Sequence, residues 1–376
     1  MSPTRRTFIQ TTALAGGALS LGMLGCSSRE SGEVRPATNP LRILILGGTG
    51  FIGPHQVRYA LQRGHTITLF NRGRTNPHLF PEVEKLIGDR AGDLTALEGR
   101  EWDAVIDNPT MLPQWVRDSA GLLKDAVQQY LFISTLSVFA NDGIIDQDEM
   151  GELCVYDEEA DEPVTGTAYG GRKVICEREA EKALPGRTTV VRPGLISGPG
   201  DPTLRFPYWP IRVDRGGEVL VQGQPGDPVQ FIDARDLAEF VIGLVENSVY
   251  GIYNATGPRT PIPMGEMLEQ IRDGLGATAT FTWADEEFLD EQGVLRYLNG
   301  MGSTAIRVPG MEGYNQYNID RALAQGLTFR SMGVIARDTV DWWKSLPEEE
   351  RSRRRTLSPE REVEVLAAWR ARATKR

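Results

Sequence analysis

The sequence predicts an α/β protein with a doubly wound parallel sheet and a smaller C-terminal lobe. Short runs rich in β-branched and other apolar residues, typical of strands buried on both faces, alternate with helical patterns in the first half of the chain. A glycine-rich turn joins the first of these strands to the first helix, and from Pro263 onward the pattern is mainly helical. We expect residues 41–195 to form the sheet domain and residues 196–345 to form the lobe, with strands that return to the sheet.

Composition narrows the class of protein. The chain has 376 residues, with 41 Lys and Arg against 51 Asp and Glu, so its net charge is −10 with neutral His. An acidic chain is poorly suited to neutralise phosphates, and we expect no nucleic-acid partner. Three Cys and three His are too few for a disulfide framework or a His-dependent metal cage, so we expect no metal site. Catalysis must therefore use other groups.

The first forty residues have the pattern of a targeting signal and a linker rather than of a folded domain. Arg5 and Arg6 precede an apolar pair, and the apolar stretch 13–24 is too short to span a bilayer, which takes about 20 residues. The arrangement resembles a twin-arginine export signal, and Cys26 after a small residue resembles the acylated Cys of a bacterial lipoprotein. The alternative is an ordinary basic start before a buried helix.

On the first interpretation, residues 1–26 are a signal read by the twin-arginine export machinery. Residues 27–40 are polar, without apolar periodicity, and suit a flexible tether. We then expect an extracytoplasmic, periplasmic protein that meets the membrane only through its signal or through a lipid on Cys26. The twin-arginine route carries folded proteins that already hold their cofactor.

A dinucleotide signature begins at residue 41. The apolar run 41–46 is followed at once by GGTGFIG at 47–53 and then by a helical pattern. Glycines at every third position let the backbone turn tightly and approach a pyrophosphate on the helix N-terminus. We therefore expect a Rossmann-type fold that binds NAD or NADP through Gly47, Thr49, Gly50, Phe51, Ile52 and Gly53.

The end of the second strand bears on the choice between NAD and NADP. Asn71 stands where an acidic residue would hold the ribose 2′-hydroxyl, and Arg72 and Arg74 follow it. Loss of the carboxylate and gain of guanidinium groups favour a 2′-phosphate, hence NADP, unless both arginines are solvated loop charges. In the loop after the next strand, Asp89 is placed to accept from the adenine amino group, with Arg90 beside it.

The candidate catalytic residues lie further along the chain. A strand ends in Ser134 and Thr135, and a helix opens with Tyr169 and Lys173, which share one helical face. A phenol is a poor base at neutral pH, and a nearby ammonium lowers its pKa. We expect Thr135 to hold a substrate oxygen while Tyr169 takes or returns its proton. This Tyr–Lys spacing also arises by chance, but its place in the chain favours catalysis.

Taken together, these motifs resemble the extended short-chain dehydrogenase/reductase superfamily, in its NAD-dependent epimerase/dehydratase branch. The resemblance runs from Leu41 to about Pro258, through GGTGFIG, FISTLSVF, YGGRK, VVRPGLISGPG, FIDARDLA and GIYNATG. It implies that Thr135, Tyr169 and Lys173 are catalytic and that the backbone at Pro193 and Gly194 contacts the nicotinamide. Within the superfamily the chain also looks like an atypical bacterial subgroup related to chloroplast stem-loop-binding proteins.

Two departures from that family point away from a nucleotide sugar. Leu195 replaces a usual Asn, and Val229 replaces the Arg that clamps the substrate diphosphate, although Arg205, Arg212 or Arg215 could substitute for it. The expected substrate is therefore a different small molecule, carbohydrate-like. The candidates for substrate contact are the hydroxyl residues Ser134 and Ser137, Arg205, and the aromatic residues Phe206, Tyr208 and Trp209, whose rings otherwise pack the small lobe.

The resulting hypothesis is an NAD(P)-dependent, epimerase-like enzyme that acts by transient hydride transfer on a sugar, a glycoside or another secondary alcohol. An exported enzyme has no soluble nicotinamide pool, so we expect tightly bound cofactor that is recycled in each turnover. The alternatives are a net dehydrogenase or ketoreductase and, third, a non-catalytic nucleotide- or RNA-binding module. Residues 346–376 are charged with an apolar period at Val363, Leu366 and Trp369, which predicts a solvated surface helix.

Overall fold

The computed structural model describes residues 34–108, 110–158, 166–298, 308–354 and 356–373. The predicted export signal, Cys26 and residues 27–33, the first half of the predicted tether, lie outside these ranges. None of the helices in the described part of the chain combines the length and the apolar character needed to cross a bilayer.

A seven-stranded parallel sheet forms the centre of the larger domain and confirms the predicted fold class. Its strand order is β11-β6-β5-β4-β1-β2-β3. The strands are β1 (Arg42–Leu46), β2 (Thr66–Asn71), β3 (Glu84–Ile87), β4 (Ala104–Asp107), β5 (Gln129–Ile133), β6 (Thr188–Pro193) and β11 (Gly251–Ala255). The sheet therefore includes one strand from far beyond residue 195.

Helices cover both faces of the sheet, as the apolar strand sequences require. On one face, Ile43 and Ile45 of β1 pack in a cluster with α1 (Gly53–Gln62) and α5 (Ala234–Glu246). On the other face, Leu44 and Leu46 pack in a cluster with α2 (Pro113–Leu123) and α3 (Gly166–Ala183). Strand order reverses between β1 and β4, so a crevice opens at the carboxyl ends of these strands, where ligands bind in such sheets.

The smaller lobe has its own core around a two-stranded parallel pair, β8 (Gly217–Gln222) and β13 (Ala279–Ala284). Two further short pairs join β7 (Ile196–Ser197) to β10 (Ile232–Asp233) and β9 (Pro228–Val229) to β12 (Ile262–Pro263). The remaining helices are α4 (Tyr208–Asp214), α6 (Met264–Leu275), α7 (Glu286–Glu291), α8 (Leu295–Leu298), α9 (Asp320–Ala324), α10 (Met332–Ser345), α11 (Glu348–Arg353) and α12 (Pro359–Ala373).

The C-terminal segment is helical as expected, but it is not simply a solvated surface helix. Val365 and Leu366 of α12 are buried in the core of the lobe, whereas Val363, expected on the apolar face, is 66% exposed. The buried side of α12 also carries Glu362. The helix therefore completes the lobe.

Candidate active site

The glycine-rich turn after β1 fits a dinucleotide pyrophosphate. A Cβ on Gly48 would lie 2.6 Å from a Leu69 methyl group, and one on Gly53 would lie 2.5 Å from the Gly48 backbone. Gly48 also has a positive φ of 87°, so this tight approach of turn, strand and helix needs glycine. The first turn of α1 has no acidic residue to repel an anion and no side-chain cap at Ile52. Because Pro54 has no N–H and the N–H groups of His55 and Gln56 donate to Ile52 O, an anion would meet the backbone at Gly53 and in the turn before it. The Ile52 side chain is buried in the core, so only its backbone is placed for such a contact.

A cavity of about 190 Å³ lies beside this turn, at the end of β2. The amide of Asn71 is fixed there, because its nitrogen donates to Gly47 O (3.2 Å) and its oxygen accepts from Gly73 N–H (2.8 Å). Arg72 and Arg74 are exposed at the rim. The wall includes eight of the predicted cofactor-binding residues: Gly47, Thr49, Gly50, Asn71, Arg72, Arg74, Asp89 and Arg90.

Arg90 lines this cavity and also forms a buried ion pair. Its guanidinium binds both carboxylate oxygens of Asp107, one at 2.8 Å, and donates to Ser119 Oγ at 3.0 Å. Tyr130 Oη also donates to Asp107, at 2.6 Å. The ion pair fixes Arg90 on the cavity wall, and its contact with a nucleotide stays a prediction.

The proposed catalytic residues come together where β5 ends against α3. Thr135 lies two residues beyond the end of β5, where its Oγ1 donates to Ser137 Oγ at 3.3 Å and accepts from Ser137 N–H at 3.2 Å. It shares a cavity wall with Tyr169, which lies in the first part of α3. Lys173, one turn further along α3, is fully buried and donates to Ile133 O (2.7 Å) and Thr110 O (3.0 Å). The ammonium also lies 4.1 Å from the centre of the Phe132 ring. Strand and helix therefore place a hydroxyl, a phenol and an ammonium side by side.

The electrostatics of these groups are set by burial and by two polar neighbours. Burial raises the pKa of Tyr169, while the hydrogen bond from Thr135 and the positive charge of Arg205 act in the opposite direction. Burial also lowers the pKa of Lys173 to about 8. The cation with a resolved influence on the Tyr169 pKa is Arg205, which sequence reasoning had assigned to substrate contact.

A second cavity, of about 400 Å³, opens in front of Tyr169. Its wall contains Phe51 of the glycine turn, and Pro193 and Gly194 after β6, so it continues toward the nucleotide cleft. Predicted residues on the wall are Ser134, Thr135, Ser137, Tyr169 and Arg205. Eight polar residues of the wall were not predicted: Asp142, Asp201, Thr203, Gln230, Thr256, Tyr314, Asn315 and Tyr317.

The unpredicted residues come mainly from loops that are braced against each other. Gly313 N–H donates to Asp142 O at 2.7 Å, and the Tyr317 hydroxyl donates to the Asp142 carboxylate at 3.2 Å. Thr203 donates to Asp201 through both its N–H (2.8 Å) and its hydroxyl (2.7 Å). Gln230 and Thr256 had a sequence signal, because each adjoins a quoted family motif, whereas the loop at 313–317 had none beyond its polar and aromatic composition.

Three aromatic residues that the sequence predicts as substrate contacts do not line this cavity. Phe206 and Trp209 are fully buried, and Tyr208 is nearly so, in the core of the lobe. Phe206 stacks on Phe231, with ring centres 4.6 Å apart. The structure therefore supports the alternative interpretation, in which these rings pack the core of the lobe.

The structure shows where the two residues that depart from the nucleotide-sugar pattern lie. Leu195 is on the cavity wall, and Val229 is fully buried in the lobe core. Arg212 is bound to Glu362, and Arg215 lies within 3.9 Å of the same carboxylate. Of the three arginines considered as a replacement clamp, only Arg205 lines the cavity.

Comparison with known proteins agrees with this geometry. Residues 43–112 match the NAD dependent epimerase/dehydratase family. The chain is also similar to the 2-alkyl-3-oxoalkanoate reductase of Stenotrophomonas maltophilia, with 27% identity over 269 residues, which are 63% of this chain and 76% of the reductase. By sequence, therefore, the chain is similar to NAD-dependent epimerases and reductases.

Solved structures share the fold. The human epimerase family protein SDR39U1 with NADPH has a TM-score of 0.53 and 21% identity, over 80% of this chain and 99% of that one. The UDP-glucose 4-epimerase of Thermus thermophilus with NAD has a TM-score of 0.54 and 18% identity, over 81% of this chain and all of the epimerase. At this identity the likeness concerns the fold.

Proposed function

We propose that this chain is an NAD(P)-dependent, epimerase-like enzyme that acts by transient hydride transfer on a sugar, a glycoside or another secondary alcohol. The observation that carries the proposal is that Thr135 and Tyr169 line the same cavity, whose wall also includes Phe51 of the glycine turn. An alcohol carbon bound against Tyr169 would thus lie near a dinucleotide held by that turn. When bound, the nicotinamide supplies a site that accepts and returns a hydride.

The chain's own residues account for the proton in this reaction. Tyr169 Oη takes the proton of the substrate hydroxyl as a phenolate and returns it as a phenol, while Thr135 Oγ1 holds the same substrate oxygen. Arg205 favours the phenolate through its positive charge. Lys173 fixes the end of β5 through Ile133 O and the loop after β4 through Thr110 O.

The cavity favours an uncharged polyol over a diphosphate. Its charged residues are two carboxylates, Asp142 and Asp201, and the cation Arg205. Its remaining polar groups are hydroxyls, phenols and side-chain amides, which suit substrate hydroxyl groups because each can donate or accept. A diphosphate would meet two acidic side chains and only one guanidinium, so a nucleotide sugar is the poorer fit.

A second candidate function is net reduction of a carbonyl compound. The specific observation in its favour is the likeness to the S. maltophilia reductase, whose printed name refers to a 3-oxo acid. Net reduction consumes one reduced nicotinamide per product, whereas epimerisation leaves the bound nicotinamide unchanged over a full turnover. The non-catalytic nucleotide- or RNA-binding module ranks third, because the chain is acidic and two of the candidate catalytic residues, Thr135 and Tyr169, meet at the cavity.

The decisive experiment removes the phenol oxygen. We expect Tyr169→Phe to abolish turnover on a panel of methyl glycosides, free sugars and 3-oxo acids, because no other group in contact with Thr135 would take the proton. Product analysis distinguishes epimers from reduced products, and absorbance of reduced nicotinamide records net transfer. The matched control is Tyr250→Phe, since Tyr250 is an exposed surface residue. Unchanged turnover in Tyr169→Phe would remove the proposed base.

A further inference from the structure

Three consecutive residues at the end of β5 are each related to a different residue of α3. Ile133 O accepts from Lys173 Nζ at 2.7 Å, and the Ser134 hydroxyl donates to the Glu177 carboxylate. Thr135 shares a cavity wall with Tyr169, and its side chain acts to lower the pKa of that phenol. The three α3 residues follow one another at intervals of four, so they lie on one face of the helix. Ser134 and Glu177 thus form one of three links between strand and helix, directly beside the Thr135–Tyr169 pair.

A buried arginine fixes the orientation of Glu177. Arg192 of β6 binds both carboxylate oxygens, with Nε to Oε1 at 3.0 Å and Nη2 to Oε2 at 2.7 Å. This is the two-point geometry in which a guanidinium holds a carboxylate most rigidly. Arg192 is 1% exposed and also donates to Glu149 O at 3.1 Å, so it is itself anchored. Glu177 therefore presents a fixed acceptor to Ser134.

The position of Ser134 in turn determines the position of Thr135. The Ser134 N–H donates to Val191 O at 2.7 Å, so both the backbone and the side chain of Ser134 are held. Thr135 follows with an extended backbone, and the chain then enters a short 3-10 turn at Leu136–Val138. Because Ser134 is 3% exposed and its hydroxyl is spent on Glu177, it is poorly placed for the substrate contact that the sequence predicts.

We propose that Glu177, held by Arg192, is a positioning residue that acts through Ser134 to keep the Thr135 hydroxyl on the Tyr169 phenol. Glu177 and Arg192 touch neither the substrate nor the cofactor in this role. The proposal rests on the proposed function in one respect, because the proposed function makes Tyr169 the acid–base group. It predicts that loss of the Ser134 hydroxyl changes the ionisation of Tyr169, a residue that Ser134 does not contact in any hydrogen bond the structure describes.

The test compares two buried strand hydroxyls that both bind α3. Ser134→Ala removes the link next to Thr135, whereas Thr188→Val removes hydrogen bonds to Ala180 O (3.2 Å) and Leu184 O (3.1 Å) at the far end of the same helix. The protein is labelled with fluorotyrosine, and the Tyr169 fluorine signal, assigned by its loss in Tyr169→Phe, is followed against pH. We expect Ser134→Ala to raise the pKa of Tyr169 by about half a pH unit or more, because the hydrogen bond from Thr135 that favours the phenolate is weakened. Thr188→Val should leave it unchanged.

A graded variant keeps the test independent of folding. Ser134→Cys keeps a donor at the same position, with a larger atom and a weaker hydrogen bond, so its Tyr169 pKa should lie between those of the wild type and Ser134→Ala. Equal Tyr169 pKa values in the wild type, Ser134→Cys and Ser134→Ala would overturn the proposal, and so would equal shifts in Ser134→Ala and Thr188→Val. The titration needs no substrate, so it stands apart from the proposed function: a failed turnover assay with the expected titration would refute the chemistry and leave the positioning role intact.

Discussion

Lys173 keeps its charged group entirely inside the protein, where two backbone carbonyls and the Phe132 ring replace water. A buried ammonium is costly, and the lowering of the Lys173 pKa to about 8 records that cost. One carbonyl belongs to Ile133 at the end of β5, and the other belongs to Thr110 in the loop after β4. The same ammonium thus joins two loops at the crevice where the strand order reverses.

At the same scale, Arg72 determines the cofactor preference that we propose. Asn71 is held by the glycine turn and offers no carboxylate to a ribose hydroxyl, whereas the exposed Arg72 guanidinium stands at the rim of the 190 Å³ cavity. We expect Arg72→Ala to weaken NADP binding about tenfold or more, because a charge-assisted hydrogen bond to phosphate is lost, and to leave NAD binding nearly unchanged. Calorimetric titration of both nucleotides measures the difference.

The control for Arg72→Ala is Arg178→Ala, which removes an exposed arginine from α3, outside the wall of either cavity described above. It should leave both affinities unchanged. Equal losses for NADP and NAD in Arg72→Ala would end the assignment of Arg72 to a 2′-phosphate.

Among the elements, α12 shows how a charged helix can belong to a core. Glu362 is 2% exposed, and its carboxylate binds Arg212 Nε at 2.5 Å and the Leu220 N–H of β8 at 3.0 Å. Arg212 also donates to Gly216 O and Glu218 O, so one ion pair ties α12, α4 and the start of β8 together. We expect Glu362→Ala to lower the free energy of unfolding by about 3–5 kcal/mol, because a buried guanidinium loses its partner.

Urea unfolding measures this loss, and α12 supplies its own control. Glu364 lies on the same helix, but its pair with Arg361 is exposed, so Glu364→Ala should cost less than about 1 kcal/mol. A similar, small effect of both substitutions would mean that α12 does not complete the lobe.

The sequence predicted this helix but not its orientation. An apolar period at Val363, Leu366 and Trp369 fits a helical face, yet the buried residues are Glu362, Val365 and Leu366. Periodicity counts apolar residues only, and here the burial of Glu362 depends on Arg212, about 150 positions earlier. The sequence around Glu362 carries no sign of such a long-range pairing. In contrast, α6 (Met264–Leu275) begins directly after Pro263, where the sequence pattern becomes helical, and its buried residues Met264, Met267, Leu268 and Ile271 follow the apolar spacing.

Across the whole molecule, the sheet domain was predictable and the substrate cavity was not. The central parallel strands are buried on both faces, so their apolar composition appears in a few consecutive letters, and the glycine turn is equally local. The cavity wall instead combines Asp142, Asp201 and Tyr314, from three loops that meet only after both lobes have formed. Predicted residues of the wall, such as Thr135 and Tyr169, come from the regular elements or directly adjoin them.

The predicted export signal and the proposed recycling of a bound cofactor make one joint prediction for the whole chain. If the twin-arginine route exports this protein already folded, the extracytoplasmic form must carry its nicotinamide out, because no soluble pool replaces it there. We expect the protein purified from that compartment to contain about one nicotinamide dinucleotide per chain, released only on denaturation, since one bound molecule serves every turnover. Chromatography of the released nucleotide measures both the amount and the NADP share. Replacing Arg5 and Arg6 with Lys should leave the loaded protein in the cytoplasm. Exported protein that is empty, yet takes up nicotinamide weakly and reversibly, would contradict recycling and would favour an externally supplied reductant or a non-catalytic role.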